Sequence, residues 1–395
     1  MSRWKVFAAL LNLLLLADPL SAQTKEAGIS TAPQLIEGGF AQQKKAMDSV
    51  LLKDWVPDSS LVVPVTNIPK ARFPAIDVHV HVGMSGTSHT GGNTPESIGD
   101  WVKGMDEAGV EKVIVLTEAI GPEFDKLADL YQKTYPDRFQ LWCGLDIREF
   151  ENPDYPERAA AELERCYRKG GRGVGELSDK GWGIMGGMLA AYGDPPKPPP
   201  DRRLHLDDPR LDLFWKKCAE LRIPVSLHIA DPPSAWRPPD NHQERLPRFQ
   251  IFNQYGMGGS SYEELISRRD RLLARHPDTT FILCHLSNQG NDLAMLSTAL
   301  DRFPNLYLDL AARASEIGRQ PRNAAEFLKK YKDRVFFGSD ATPTGKMYRG
   351  WWRLLESRDE YIPVSDWWRL YGLELPEPVL QAVYSGNAAR MLNWK

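Results

Sequence analysis

Cysteine is scarce in this chain: four occur in 395 residues, and none forms a Cys-x-x-Cys pair. Cys143, Cys166, Cys218 and Cys284 are too sparse for a disulfide framework and too scattered for a zinc knuckle. Cys143 and Cys284 fall in β-rich runs and read as core packing. Cys166 and Cys218 fall in helix-like stretches, where a single disulfide stands open. Long runs of Lys or Arg are also missing, as is any alternation of aromatic with basic residues. The formal charge is only -3, so nucleic acid is excluded as the expected partner. The turn after the first strand-like segment carries histidines and no G-x-G-x-x-G spacing, which argues against a dinucleotide-binding open sheet. What is present is 42% hydrophobic and 26% charged residues, ample for one large core or two ordinary ones. The expected partner is a small polar or anionic molecule, and a homo-oligomeric assembly stands open.

The N-terminus has the layout of a signal peptide over residues 1–22. Arg3 and Lys5 supply positive charge, residues 6–17 are almost wholly apolar, and Ala22 offers a small residue at the cut. This predicts a secreted or periplasmic protein. The apolar stretch is short for a membrane span and no cysteine follows to take a lipid, so no stable membrane insertion is expected once it is removed.

From Phe73 onward, short β-rich runs alternate with amphipathic segments of helical length, the pattern of parallel strands joined by crossover helices. Strands are predicted at 75–81, 112–117, 139–147, 173–177, 224–229, 280–286, 306–310 and 335–339. Helices are predicted at 95–108, 121–135, 155–169, 210–221, 262–276, 292–303 and 323–331. Eight repeats of strand then helix is the count that closes an α/β TIM-type (β/α)8 barrel. Residues 23–72 read as an N-terminal extension laid on a barrel domain of residues 73–395. Two long Pro- and Gly-rich loops, 178–208 and 230–260, belong over one barrel end. The second holds Trp236, Arg237, His242 and Arg245. Residues 342–376 add Trp351, Trp352, Trp367 and Trp368, expected as packing, before a closing helix at 377–392.

The chemistry is concentrated at the predicted strand ends. In Asp77-Val-His79-Val-His81, strand alternation sends both histidines to one face, roughly 7 Å apart along the chain. Alone, such a pair is weak evidence. Two further apolar runs, however, end in His228 and His285, and another ends in Asp340. Active sites of these barrels lie at the C-terminal strand ends, where His81, Glu176, His228, His285 and Asp340 all fall. Imidazoles from the first and fifth strands with a carboxylate from the eighth make a nitrogen-rich divalent site with open positions. Zinc suits that mixture, with manganese as the alternative.

These residues resemble the amidohydrolase superfamily, and in particular the amidohydrolase-related branch that includes aminocarboxymuconate-semialdehyde decarboxylase. The likeness spans about residues 74–392. Beyond His79, His81, His228, His285 and Asp340 it is carried by residues 301–309 and 336–340 and by Asn387-Ala388. It implies a metal held by His79, His81, His228 and Asp340. It further implies a metal-activated water whose proton Asp340 takes, and a His285 that polarises a carbonyl or relays a proton. Arg313, and Arg237 or Arg349 in the loops, are candidates to hold a substrate carboxylate, with Trp236 beside them. Glu176 departs from the pattern: dinuclear members of the superfamily often place a carboxylated lysine near that strand end. The glutamate either bridges a second metal or hydrogen-bonds a ligand histidine, so one or two ions are expected. Asp77 is expected to position the strand end, His89 and His242 to be solvated, and His205 and His276 to lie away from the site. The implied function is an exported hydrolase of a lactone, ester or amide. The alternatives are a non-oxidative decarboxylase of an unsaturated or aromatic acid, and a non-catalytic metal-binding barrel.

Overall fold

From Ala75 the chain lays down eight parallel strands, each followed by helical or looped chain that returns it to the next. They are β1 (Ala75–His81), β2 (Val110–Leu116), β3 (Phe139–Trp142), β4 (Val174–Asp179), β5 (Val225–Ile229), β6 (Phe281–Leu283), β7 (Leu306–Asp309) and β8 (Val335–Phe336). This is a computed structural model, and it describes residues 44, 47–51, 59–83, 89–184, 199–244, 253–363 and 368–392. The expected signal peptide, Arg245 and Trp367 lie outside those residues.

β1 to β3 pair in order and β4 to β8 pair in order, and backbone hydrogen bonds join the two arcs into a barrel. On one side the Cys143 N–H donates to Gly173 O (3.0 Å) and the Gly175 N–H to Cys143 O (2.8 Å). On the other, the Val78 N–H donates to Phe337 O (3.0 Å) and the Asp340 N–H to His79 O (2.9 Å). The ring leaves no strand edge unpaired at these seams. Strands buried on both faces need near-continuous apolar sequence, and Val113 to Leu116, Leu227 and Phe281 to Leu283 supply it.

Helices cover the outside. Pro95–Ala108 begins with a Thr94–Ser97 capping box and ends at Gly109, whose φ of 81° is the left-handed conformation glycine adopts freely. Gly345–Glu356 buries Tyr348, Trp351 and Trp352 on its inner face, as expected for packing aromatics. The inner cluster of Ile76, Val78, Ile114, Leu116, Trp142, Ile282 and Phe336 is stoppered by Ala388 and Leu392. Asn387 fixes that plug: its buried amide donates to Lys332 O and Val335 O, both at 2.7 Å.

Several expected boundaries move. The sixth strand stops at Leu283 rather than 286, because the chain turns left-handed at His285. The third stops at Trp142 rather than 147. The final helix is broken into Glu377–Gln381, a π-turn over Ala382–Gly386, and Asn387–Met391. Residues 59–72 carry no helix or strand and are tied to the barrel through Thr66, which donates from its N–H (2.8 Å) and hydroxyl (2.5 Å) to Asp359. The four cysteines are buried free thiols, so the open disulfide between Cys166 and Cys218 is not formed. No helix among the described residues is long and apolar enough to cross a membrane.

Asn387→Ala would remove a donor from the buried Val335 carbonyl and from the half-buried Lys332 carbonyl. A loss of about 1–3 kcal/mol for each is expected, read as a fall in urea midpoint with the slope unchanged.

Candidate active site

β1 brings its two histidines to the barrel interior by a slip in register. Pairing with β2 is irregular between Asp77 and Val80, so Val78 and His79 share the inner side. Asp77 instead reaches outward to the Tyr348 hydroxyl (2.9 Å), and Val80 joins the outer core. His79 Nε2 and His81 Nε2 come to 3.1 Å of each other. Glu176 Oε2 stands 3.3 Å from the first and 3.0 Å from the second. Asp340 Oδ1 stands 3.6 and 3.7 Å from them.

The other oxygen of Glu176 serves a second pair. Its Oε1 is 2.5 Å from His228 Nδ1 and 3.5 Å from His285 Nε2. Asp340 Oδ2 lies 4.0 Å from that same His285 nitrogen. The expected ligand set joined His228 to His79, His81 and Asp340. In the structure His228 stands across Glu176 from His79 and His81, within reach of His285. The glutamate is the shared member of both groups.

The first of these groups has the spacing of a divalent-cation site. Donors about 2.0–2.2 Å from a zinc-sized ion stand roughly 3.0–3.5 Å from one another at tetrahedral or octahedral angles. The first group, His79, His81 and Glu176 with Asp340 beside it, matches that closely. The second, Glu176, His228 and His285, offers three donors of the same type.

A surrounding row of acceptors aims the imidazoles. His79 Nδ1 faces Asp309 Oδ2 at 2.8 Å, while Asp309 Oδ1 accepts the backbone N–H of His285 (2.7 Å) and Ala311 (3.1 Å). His285 Nδ1 donates to Ala311 O (2.9 Å), leaving Nε2 to face the cluster. His81 Nδ1 lies 3.4 Å from Glu118, and His228 Nε2 lies 3.4 Å from Asp231. Such outer partners fix ring orientation and raise ligand basicity. Asp77 holds the base of the assembly by accepting from the His79 N–H (3.0 Å), the Ser339 N–H (3.0 Å) and the Ser339 hydroxyl (2.5 Å).

Backbone geometry is unusual at these strand ends. Glu118, Ala230, Ala312 and Asp340 all have φ between 52 and 63°, and His285 to Asn288 form an unbroken left-handed run. Non-glycine residues pay about 1 kcal/mol or more each for this conformation. The turn aims His285 inward and Asn288 toward the fifth strand, where its amide donates to Ala230 O (3.0 Å).

The cluster sets the charge state of its members. Burial would raise the Glu176 carboxyl, but the facing histidines, His228 foremost, hold it well below the usual range. Burial likewise opposes the ionised Asp340, and His79 with the neighbouring imidazoles brings it to about 2. Burial depresses His285, with His228 adding to the effect. Glu118 goes the other way, pushed by burial to about 7.

Other expected residues are placed as follows. Arg313 is buried beside the cluster, donating to Asn288 Oδ1 and to Ala312 O (2.9 Å). Arg237 is exposed, and Arg349 faces Glu107 at 3.9 Å on the outer helices. Trp236 gives its N–H to Ser260 O (3.0 Å) and packs edge-on against Tyr262. These three are not gathered with the metal-type donors. His89, expected to be solvated, is instead folded in, 3.3 Å from Asp340 with its ring 5.0 Å from that of His81. His205, expected away from the strand ends, meets Asp179 at the end of β4 at 2.7 Å. His242 is exposed, as expected.

Glu118, Asp309 and Asp231, with Lys180 paired to Asp231 at 3.2 Å, stand beside the cluster and are not among the expected site residues. Asp309 and Glu118 carried a signal, each standing at the end of a β-rich run. Asp231 and Lys180 carried none that separates them from surface charges.

The sequence profile of the amidohydrolases matches residues 76–394. The chain belongs to the amidohydrolase family. It is therefore an amidohydrolase-family TIM barrel and a metal-dependent enzyme, whose family uses a divalent ion. No curated protein compared with it is similar in sequence. Among solved structures, it is similar to an uncharacterised TIM-barrel protein from Bordetella bronchiseptica, at 18% identity and a TM-score of 0.49, over 82% of this chain and 99% of that one. A dihydroxybenzoic acid decarboxylase from Polaromonas with bound manganese gives 18%, 0.48, and 81% and 97%. A 2,6-dihydroxybenzoate decarboxylase from Rhizobium gives 16%, 0.47, and 81% and 99%. Likeness at this level assigns no reaction.

Asp309→Ala should weaken divalent-metal affinity by roughly 10–100-fold, because His79 loses the acceptor on its far nitrogen. Competition against a chromophoric chelator reads this directly, and unchanged affinity would show that Asp309 does not aim the ring.

Proposed function

We propose that this amidohydrolase is a hydrolase, cleaving a lactone, ester or amide of a small carboxylated or polar substrate. The observation that supports it most is the exposure of Asp340. Its side chain is 21% exposed, whereas those of His79, His81, Glu176 and His285 are 0–8% exposed. The cluster thus opens on the side of its own carboxylate, where an attacking water and a substrate carbonyl would enter.

His79, His81, Glu176 and Asp340 would hold one divalent ion, and Glu176, His228 and His285 a second. Zinc is the favoured ion for these donors and manganese the alternative. A divalent ion supplies Lewis acidity toward water and a carbonyl oxygen. Asp340 accepts the proton from the attacking water and returns it to the leaving oxygen or nitrogen. His285 presents Nε2 to the carbonyl side of the site. Arg313 holds a substrate carboxylate. Export to the periplasm or cell exterior is part of the proposal, supported by the charge and apolar pattern of residues 1–22.

Arg313 also favours a second reading. A buried guanidinium beside a metal-type cluster suits a carboxylic acid whose carboxylate is retained in hydrolysis but lost in decarboxylation. Product analysis in H2(18O) separates the two: hydrolysis puts the label into the product acid and releases no carbon dioxide, whereas decarboxylation releases carbon dioxide and leaves the remaining product unlabelled.

Asp340→Asn should keep a bound metal yet lose at least about 10²-fold in kcat; full turnover would remove the proton acceptor. Arg313→Met should raise KM for a carboxylated substrate by roughly 10–100-fold, the worth of a lost charged hydrogen bond. An equal effect on an uncharged substrate would refute its role as an anchor.

A further inference from the structure

Past His228 the polar chain continues away from the cluster. His228 turns Nδ1 to Glu176 and Nε2 to Asp231 Oδ1 at 3.4 Å, and that same oxygen is 3.2 Å from Lys180 Nζ. Asp231 is buried, and its other oxygen has no hydrogen-bond partner. A buried carboxylate with an orphaned oxygen is costly, on the order of 1–3 kcal/mol, and packing alone does not explain its retention. The cost is offset if the charge has work to do on the ring beside it.

We infer that Asp231, held in place by Lys180, is the positioning residue for His228 and thereby sets the affinity of the second metal position. An imidazole has one donor nitrogen and one acceptor nitrogen when neutral. At 2.5 Å from Glu176 Oε1 the Nδ1 of His228 shares its proton with that carboxylate, and an ion can be taken there only once the proton leaves; Asp231 then accepts from Nε2–H and the lone pair falls on Nδ1. Without Asp231 the ring keeps its proton on Nδ1, held against Glu176, which blocks both donors at once. Lys180 comes from the end of β4, just past Asp179, and Asp231 follows β5, so the pair also ties the two strand ends that carry Glu176 and His228. His285 needs no such partner, because Ala311 O already holds its far nitrogen. The two histidines of the second group are therefore aimed by unlike means, one by a backbone carbonyl and one by a replaceable side chain.

This inference rests on the two-position reading of the site, and the test separates them. Metal-free full-length protein, wild type and Asp231→Ala, is titrated with Zn2+ against a chromophoric chelator, and with Co2+ followed by visible absorption. Wild type should take two equivalents. Asp231→Ala should weaken the second by roughly 10–100-fold and leave the first unchanged. Asp231→Asn, whose amide oxygen still accepts from Nε2–H, should bring the second equivalent back toward wild type, which a merely structural defect would not do. If Asp231→Ala does not fold, Asp231→Leu removes the acceptor at similar volume and replaces it. A wild type that takes only one equivalent overturns the two-position reading and this inference with it. Two equivalents in wild type, bound equally well by Asp231→Ala, overturn the inference alone. An Asp231→Asn as weak as Asp231→Ala overturns its hydrogen-bond basis.

Discussion

The carboxylate of Glu176 is the constraint on which the rest of the site depends. Its two oxygens face different histidine pairs, His79 and His81 through Oε2 and His228 and His285 through Oε1. A buried carboxylate is tolerated only where charge or donors surround it. Here those donors come from the first, fifth and sixth strands, with Glu176 itself on the fourth. Closing the barrel is thus a condition for the cluster to exist, since an open sheet could not bring β1 to face β5 across β4. The cluster in turn accounts for the polar groups found where a barrel of this size would otherwise be filled by apolar side chains.

The seam between β8 and β1 carries a comparable burden. Asp77 accepts from both backbone and hydroxyl of Ser339, from the His79 N–H and from Tyr348, so one side chain fixes the strand with the histidines, the strand with Asp340 and the outer helix. Burial is the largest influence on it and lifts its pKa to about 6, although each of these hydrogen bonds works to lower it. The residues just past the strands meet the same demand through the backbone. Glu118, His285 and Asp340 all take left-handed φ values, and all three point polar atoms into one small volume. Regular strand continuation would send alternate side chains outward; a left-handed residue reverses the path and keeps them inside.

Much of this was legible in the sequence, for reasons that can be named. Short β-rich runs alternating with amphipathic segments located the start of every strand within a few residues, and His79-x-His81 needed only the alternation rule to be placed on one face. The site residues at strand ends were visible because barrel topology converts distant sequence positions into neighbours. What could not be read was geometry set by irregular backbone. The register slip in β1 and the left-handed turn at His285 break the periodicity on which the reading relied. His89 looked like a solvated loop residue because nothing local says that its loop folds back over Asp340. Arg349 and Arg237 looked like anchors because charge type is legible and direction is not. Asp231 and Lys180 were invisible, since a buried ion pair and a surface one have the same spelling.

A closed structural metal site would need four donors sealed from solvent, and the arrangement here differs from that in two respects. More groups converge than one such ion requires: His79, His81 and Asp340 gather on the side of one Glu176 oxygen, and His228 and His285 on the side of the other. The least buried of them is a carboxylate, not an imidazole. In a sealed site the exposed edge would be the weakest point and apolar side chains would cover it. Here Asp340, His89 and Glu118 stand at that edge, all three able to carry or release a proton, with Glu118 lifted by burial to about 7 and His89 lowered by it to about 4. An opening lined by proton-exchanging groups beside tightly held metal donors is the arrangement that turnover needs and that storage or structural binding does not.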